Sequence, residues 1–315
     1  MKSEMVLSQH WLIVTTSPLG LGCEDCHLMK LLYSIEDVRA FTQSARNRGL
    51  KIGFVPTMGF LHSGHLALMR LAGEWADVVV ASLFVNPTQF GPNEDYDSYP
   101  RDVTGDLEKA RSVGCDGVFL PDLKTMYPDG SVTHVSVGQL TGRLCGSSRP
   151  GHFDGVTTVV LKLLNIVESD IAVFGEKDYQ QLAVIRQMVR DLNLAVTIIG
   201  HPIVREPDGL AMSSRNSYLS PTERTQARVL STGLKKANVA WQNGLRDAAS
   251  LRDLVQKKIS DSNLARIDYV EVCDAESLAP IQGECVRSTL IAVAVFFGET
   301  RLIDNCLLDP QSQVS

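Results

Sequence analysis

The 315-residue chain contains no apolar run approaching the ~18–20 residues that a helix needs to cross a bilayer. It has no excess of positive charge either. Thirty Lys and Arg stand against 36 Asp and Glu, a formal charge of −6. That balance argues against a broad nucleic-acid surface and leaves room for a local basic pocket around a phosphorylated ligand. Cysteine is sparse: seven residues, at 23, 26, 115, 145, 273, 285 and 306, with only the first two close together. An odd, scattered set in a chain this long gives reduced thiols rather than a disulfide framework, and with them a cytoplasmic protein. Cys23-Glu24-Asp25-Cys26-His27 matches the haem-attachment pattern C-x-x-C-H, but no Met or His ligand stands out nearby, so chance is the preferred reading. Zinc would need two further ligands, and no second close Cys/His pair supplies them. The stretch 11–23 is a poor secretory leader, being interrupted by Pro18, Gly20 and two threonines. Residues 1–28 are therefore expected to form a disordered extension. No internal repeat or low-complexity tract is visible.

Hydrophobic residues at 44% and charged residues at 21% are ordinary values for a globular protein. Short apolar runs alternate with helical periodicity, which predicts an α/β fold, a doubly wound parallel sheet built from βα units. Strands are expected at 51–56, 77–85, 117–120, 170–174 and 195–204, and helices at 62–75, 106–113, 156–167 and 179–192. The character changes near 205, where Glu206-Pro207-Asp208-Gly209 is a strong turn signal and Ser220-Pro221 an N-cap with proline at the first helical position. Helices at 221–243 and 247–261 and strands near 267–273, 289–297 and 301–307 follow. A first domain over 29–204 and a smaller C-terminal α+β domain over 205–315 are the expected division.

The most informative segment is Val55-Pro56-Thr57-Met58-Gly59-Phe60-Leu61-His62-Ser63-Gly64-His65. A strand end, a glycine turn and a helix start follow one another, and ligands of open α/β sheets sit at such carboxyl ends. The helix N-terminus offers free N–H groups to phosphate. His62 and His65, three apart, can face one site, and Gly64 leaves room for a nucleotide against the backbone. The plainer alternative is a pair of helix-capping histidines. Gly175-Glu176-Lys177-Asp178-Tyr179-Gln180-Gln181 follows another buried strand, with Lys177 as a point charge for phosphate and Asp178 and Gln181 as hydroxyl partners. Met212-Ser213-Ser214-Arg215-Asn216 places two hydroxyls beside an arginine at the domain junction, a clamp for the β- and γ-phosphates of ATP. Phe84-Val85-Asn86-Pro87-Thr88-Gln89-Phe90 offers the Gln89 amide between apolar walls, and in Arg149-Pro150-Gly151-His152-Phe153 the Arg149 and His152 side chains suit an anion. Asp106 has two readings, a Mg²⁺ ligand or a helix-surface aspartate.

Together, in this order, these segments resemble the pantothenate synthetase family within the HIGH-motif nucleotidylyltransferase superfamily. The resemblance spans about residues 31–308, and Thr300-Arg301-Leu302-Ile303-Asp304-Asn305 also fits it. It implies a Rossmann-like domain, a C-terminal lid domain, a homodimer and an ATP-dependent ligation of pantoate to β-alanine through pantoyl adenylate. It implies that His62, His65, Lys177, Ser213, Ser214 and Arg215 contact the ATP phosphates, with Pro56, Thr57, Gly59, Gly64, Val204 and Met212 completing the nucleotide site. Met58, Asn86, Gln89, Arg149, His152 and Gln181 would surround pantoate, Asp178 and Gly175 would face the ribose, and Asp106 would bind Mg²⁺. Gly105 stands where many relatives carry a further acid. The nearest rivals are another nucleotidylyltransferase of the superfamily, with a different acceptor, and a catalytically silent nucleotide-binding sensor.

Overall fold

The computed structural model describes residues 28–92 and 94–310. The C-x-x-C-H pattern, the leader-like stretch and the proposed extension up to residue 27 lie outside the described residues. The five described cysteines are free thiols.

Six strands form one parallel sheet: β1 (Lys30–Leu32), β2 (Ile52–Thr57), β3 (Val78–Leu83), β4 (Gly117–Phe119), β5 (Ile171–Gly175) and β6 (Thr197–His201), in the order β1-β4-β3-β2-β5-β6. Alternate residues of each central strand enter opposite layers, as the two-residue period of a strand requires. Phe54, Val78, Val80, Ala172 and Phe174 pack into one core, whereas Val55, Val79, Ala81, Ile171 and Val173 pack into the other. That is why these segments read as unbroken apolar runs.

The sheet begins with β1 at one edge, reaches β2 in the middle, builds β3 and β4 on one side, then returns to add β5 and β6 on the other. The direction of winding reverses between β2 and β5. Those two strands pair only through Gly53 with Ile171 and Phe54 with Ala172. Beyond that point β2 stays with β3 as far as Thr57 and β5 with β6 as far as Gly175, so a crevice opens between their carboxyl ends.

The C-terminal part carries an antiparallel sheet of β7 (Ala265–Asp274), β8 (Thr289–Phe297) and β9 (Thr300–Leu308), with β8 in the centre. On β8, Leu290 and Ala292 face the core shared with the parallel half, and Ile291, Val293, Val295 and Phe297 face the helices Val229–Gln242 and Ala248–Ile259. The second sheet is thus covered on both sides.

Several expected elements differ in extent. The helix expected over 221–243 is two, Pro221–Ala227 and Val229–Gln242, meeting at Arg228. The helix expected from 156 begins at His152, entered through Gly151 at φ +79°, and the one expected from 106 begins at Val103, capped by Asp102. The edge strand β1 and the helix Ile35–Asn47 were not among the expectations, although Ser34 and Asp37 form a capping box at that helix's start.

The helix His152–Val167 lies hard against the 86–89 segment. A Cβ at Gly155 would sit 2.4 Å from the Thr88 carbonyl oxygen and 2.6 Å from the Gln89 nitrogen. Gly155→Ala is expected to cost about 1–3 kcal/mol through overpacking, read from denaturant unfolding. Unchanged stability would mean that the 86–89 backbone yields freely.

Candidate active site

The crevice at the end of β2 and β5 is a cavity of about 240 Å³. It runs into a wider cleft of about 1090 Å³ toward the C-terminal sheet, and both share Arg149, His152, Lys177, Gln181, Ser213 and Arg215. Every residue assigned to the site from sequence lines the smaller cavity except Gly59 and Asp106.

His62 caps the helix Ser63–Trp75, and the capping decides its chemistry. The Gly64 N–H donates to His62 Nδ1 at 3.1 Å, and the His62 N–H donates to His65 Nδ1 at 3.3 Å. The rings stack with centroids 4.1 Å apart. Burial pushes the His62 imidazole down to about 4, with Lys177 adding repulsion. Burial likewise holds His65 well below its ordinary value, helped by His62 and Lys177. Both rings are therefore neutral near pH 7. With each Nδ1 accepting, the proton sits on Nε2. The capping role and the ligand-facing role are one arrangement: the caps consume Nδ1 and leave two Nε2–H donors. Gly64 has a further reason beside the one expected. A Cβ there would meet the His62 ring at 2.8 Å, so glycine admits the imidazole, and it also lines the cavity.

Lys177 lies on a single 3-10 turn, Glu176–Asp178, directly after β5, and its ammonium is 3.8 Å from the Asp178 carboxylate. The Ser213–Arg215 loop is delivered by a hairpin in which Arg205 bridges Ala211 and the Met212 N–H donates to the Val204 carbonyl at 2.9 Å. Ser63 Oγ approaches Met212 Sδ at 4.0 Å, which brings this loop beside the histidine turn. Ser214 shares a 3.2 Å hydrogen bond with the buried Tyr99 hydroxyl.

On the opposite wall, the Asn86 side chain is fully buried and spent internally. Its Nδ2 donates to Gln89 Oε1 and to the Gly155 carbonyl, each at 3.1 Å. Its Oδ1 accepts from the Tyr127 hydroxyl at 2.9 Å and from Thr88 Oγ1 at 3.0 Å. Expected as a substrate contact, Asn86 lines the cavity and also aims Gln89, whose Nε2 reaches Met58 Sδ at 3.1 Å.

The two arginines expected to hold anions are already engaged. Arg149 donates through Nε and a terminal nitrogen to both oxygens of Glu94, and Arg215 forks onto Asp95 at 3.0 and 2.8 Å. Sequence reasoning passed over this acidic pair, whose signal was two consecutive carboxylates in a polar loop. Arg149 also donates to His152 Nε2 at 3.1 Å, so the His152 proton is on Nδ1 and is given to the Gln89 carbonyl at 2.8 Å. Burial, then Arg149, pushes His152 down to about 4.

Asp106 does not reach the cavity. It is 2% exposed, and its carboxylate accepts the N–H groups of Phe60 at 2.7 Å and Leu61 at 2.6 Å. It thereby holds the turn in which Gly59 has φ +83° and Phe60 φ +50°. Among the described residues no group of three or more His, Cys, Asp or Glu is placed to hold a metal ion. Mg²⁺ does not fit at Asp106.

A strand-end histidine turn, a lysine turn and a serine-arginine loop thus converge on one cavity, and residues 30–307 match the family model of pantoate–β-alanine ligase. The chain belongs to that family. It is 55% identical over 280 residues to the pantothenate synthetase of Pelotomaculum thermopropionicum, covering 89% of this chain and 99% of that one. The Geobacter sulfurreducens pantothenate synthetase is 53% identical over the same shares of both chains. Among solved structures, the pantothenate synthetase of Thermus thermophilus superposes with a TM-score of 0.83 at 44% identity, over 90% of this chain and all of the other. The Francisella tularensis pantoate–β-alanine ligase, complexed with β,γ ATP and β-alanine, gives 0.73 at 35% identity, over 89% and 98%. As a member of this family the chain is an enzyme that joins pantoate to β-alanine.

Because His62 and His152 have folded-state values near 4 against about 6.5 unfolded, the unfolded chain binds more protons between these limits. Their contribution to stability is full above pH ~6.5 and is lost as pH falls toward 4. Unfolding midpoints measured across that window should drop with acid, and His152→Gln should flatten the slope. An unchanged slope would mean that His152 takes up its proton equally in the folded and unfolded states.

Proposed function

We propose that this ligase works through pantoyl adenylate. The pantoate carboxylate attacks the α-phosphorus of ATP and pyrophosphate leaves. The amine of β-alanine then attacks the acyl carbon and expels AMP. The substrate supplies the nucleophile in each step, so the protein's task is to position anions and neutralise developing charge. The observation that carries this reading is the pair of neutral Nε2–H donors facing a cavity that also holds Lys177, Ser213, Ser214 and Arg215.

In this reading His62 and His65 donate to the phosphate oxygens at the reacting end, Lys177 supplies the positive charge, and the serine hydroxyls and Arg215 hold the outer phosphates. Gln89, aimed by Asn86, reads pantoate oxygens together with Gln181, and Met58 forms an apolar wall. Asp178 and Gly175 face the ribose. Arg149 and His152 fix the Gln89 backbone and border the pantoate site. Mg²⁺ comes as the counter-ion of ATP, whose phosphate oxygens are the hard donors it prefers. The C-terminal part serves as a lid over the wider cleft, the enzyme acts as a homodimer in the cytoplasm, and water is kept from the adenylate between the steps.

Pyrophosphate release should require ATP and pantoate, and AMP release should require β-alanine as well. His62→Ala and Lys177→Ala should each lower adenylation on the order of 10²–10³-fold with an unchanged circular-dichroism spectrum. A normal rate in either would remove that residue from the phosphate site. Turnover with another acid but none with pantoate would retain the nucleotide site and discard the acceptor.

Asp106→Asn should lower kcat while leaving the half-saturating Mg²⁺ concentration where it was. A raised Mg²⁺ requirement would return Asp106 to the metal.

A further inference from the structure

The segment Asp304-Asn305 has no part in the roles above, yet it is unusual chemistry for its place. Both residues lie in the middle of β9, opposite Val293 and Ala292 of the central strand, and are 2% and 6% exposed. Buried polar groups in an otherwise apolar sheet cost stability unless they are fully bonded. Here their bonds go to the two phosphate loops.

Neighbouring residues of a strand face opposite ways, and these two use both faces. Asn305 shares its face with Ile303, which packs on the parallel half, and its Nδ2 donates to the carbonyls of Glu176 at 2.8 Å and Lys177 at 2.9 Å. Asp304 faces the other way, toward the junction, and takes a two-point ion pair from Arg205 at 2.7 and 3.0 Å. Arg205 also donates to the Gly209 carbonyl at 3.2 Å and bridges Ala211 within the hairpin that ends in Ser213-Ser214-Arg215. The Asn305 N–H donates to Asp304 Oδ1 at 2.8 Å, which ties the two anchors to each other.

We infer that Asp304 and Asn305 are positioning residues that set the Lys177 turn and the Ser213–Arg215 loop in register across the junction between the two sheets. Asn305 fixes the backbone from which the lysine ammonium is aimed. Asp304, through Arg205, fixes the base of the serine loop. The inference rests on the phosphate-site reading of these two loops.

The test uses the full-length enzyme and pyrophosphate release. Asn305→Asp keeps the shape but replaces the donor with a carboxylate facing two carbonyls. It should lower kcat for adenylation on the order of 10²-fold, with the pantoate KM changed less than about threefold. Leu308→Ala, in the same strand but buried among the C-terminal helices, is the stability control and should lower the Tm without lowering kcat below the transition. The decisive arm is the double variant with Lys177→Ala. If Asn305 acts through Lys177, adding Asn305→Asp to Lys177→Ala produces no further loss. Multiplying losses, or a kcat for Asn305→Asp within twofold of the parent, would overturn the inference. A fully active Lys177→Ala enzyme would instead overturn the phosphate-site reading beneath it.

Discussion

The parting of β2 from β5 is the constraint from which the site follows. Two residue pairs hold the strands together near their amino ends, after which each follows its outer neighbour. Had the pairing continued to Thr57 and Gly175, the histidine turn and the lysine turn would close over each other. Because it stops, two helix or turn starts project into one gap with their N–H groups and side chains converging. The glycines of the turns, the depth of the crevice and the reach of the C-terminal sheet all answer to that opening.

Within the gap, polar groups are arranged in pairs of holder and held. Asp106 holds the Gly59-Phe60 turn so that His62 starts its helix, and the helix caps then fix both imidazole tautomers. Asn86 holds Gln89, and Arg149 and His152 hold the Gln89 carbonyl. A residue type that suits ligand chemistry is thus often used one layer back, to fix the group that meets the ligand. Buried amides and carboxylates do this well because an unfilled hydrogen bond in such surroundings is costly.

This layering also marks how far the sequence could be read. The strand-turn-helix pattern placed the histidines and Lys177, because each follows an apolar run whose period is visible, and the turn signal at the junction placed the serine loop. The parallel sheet was legible for the same reason. Asp106 was located but given another task, and the bonds by which Asn86 aims Gln89 were not foreseen, since a spacing does not say which way a side chain points across a crevice. The Glu94–Arg149 and Asp95–Arg215 forks join residues 55 and 120 positions apart, and no local pattern announces them. β1 escaped notice because three residues are too few to show a period.

The charges of the cavity pose a problem that the fold resolves unevenly. A pocket for anions needs positive groups, yet positive groups crowded into a buried space repel one another. Burial removes the charge from His62, His65 and His152, and carboxylates take up both arginine forks. Lys177 is paired more loosely, 3.8 Å from a half-exposed aspartate. The net positive field is therefore concentrated at one ammonium on a short turn. Where that ammonium points depends on the backbone beneath it, and this backbone is gripped from across the junction by Asn305. A single charge aimed from a second sheet is more sensitive to the seating of the two halves than a diffuse cluster of cations would be.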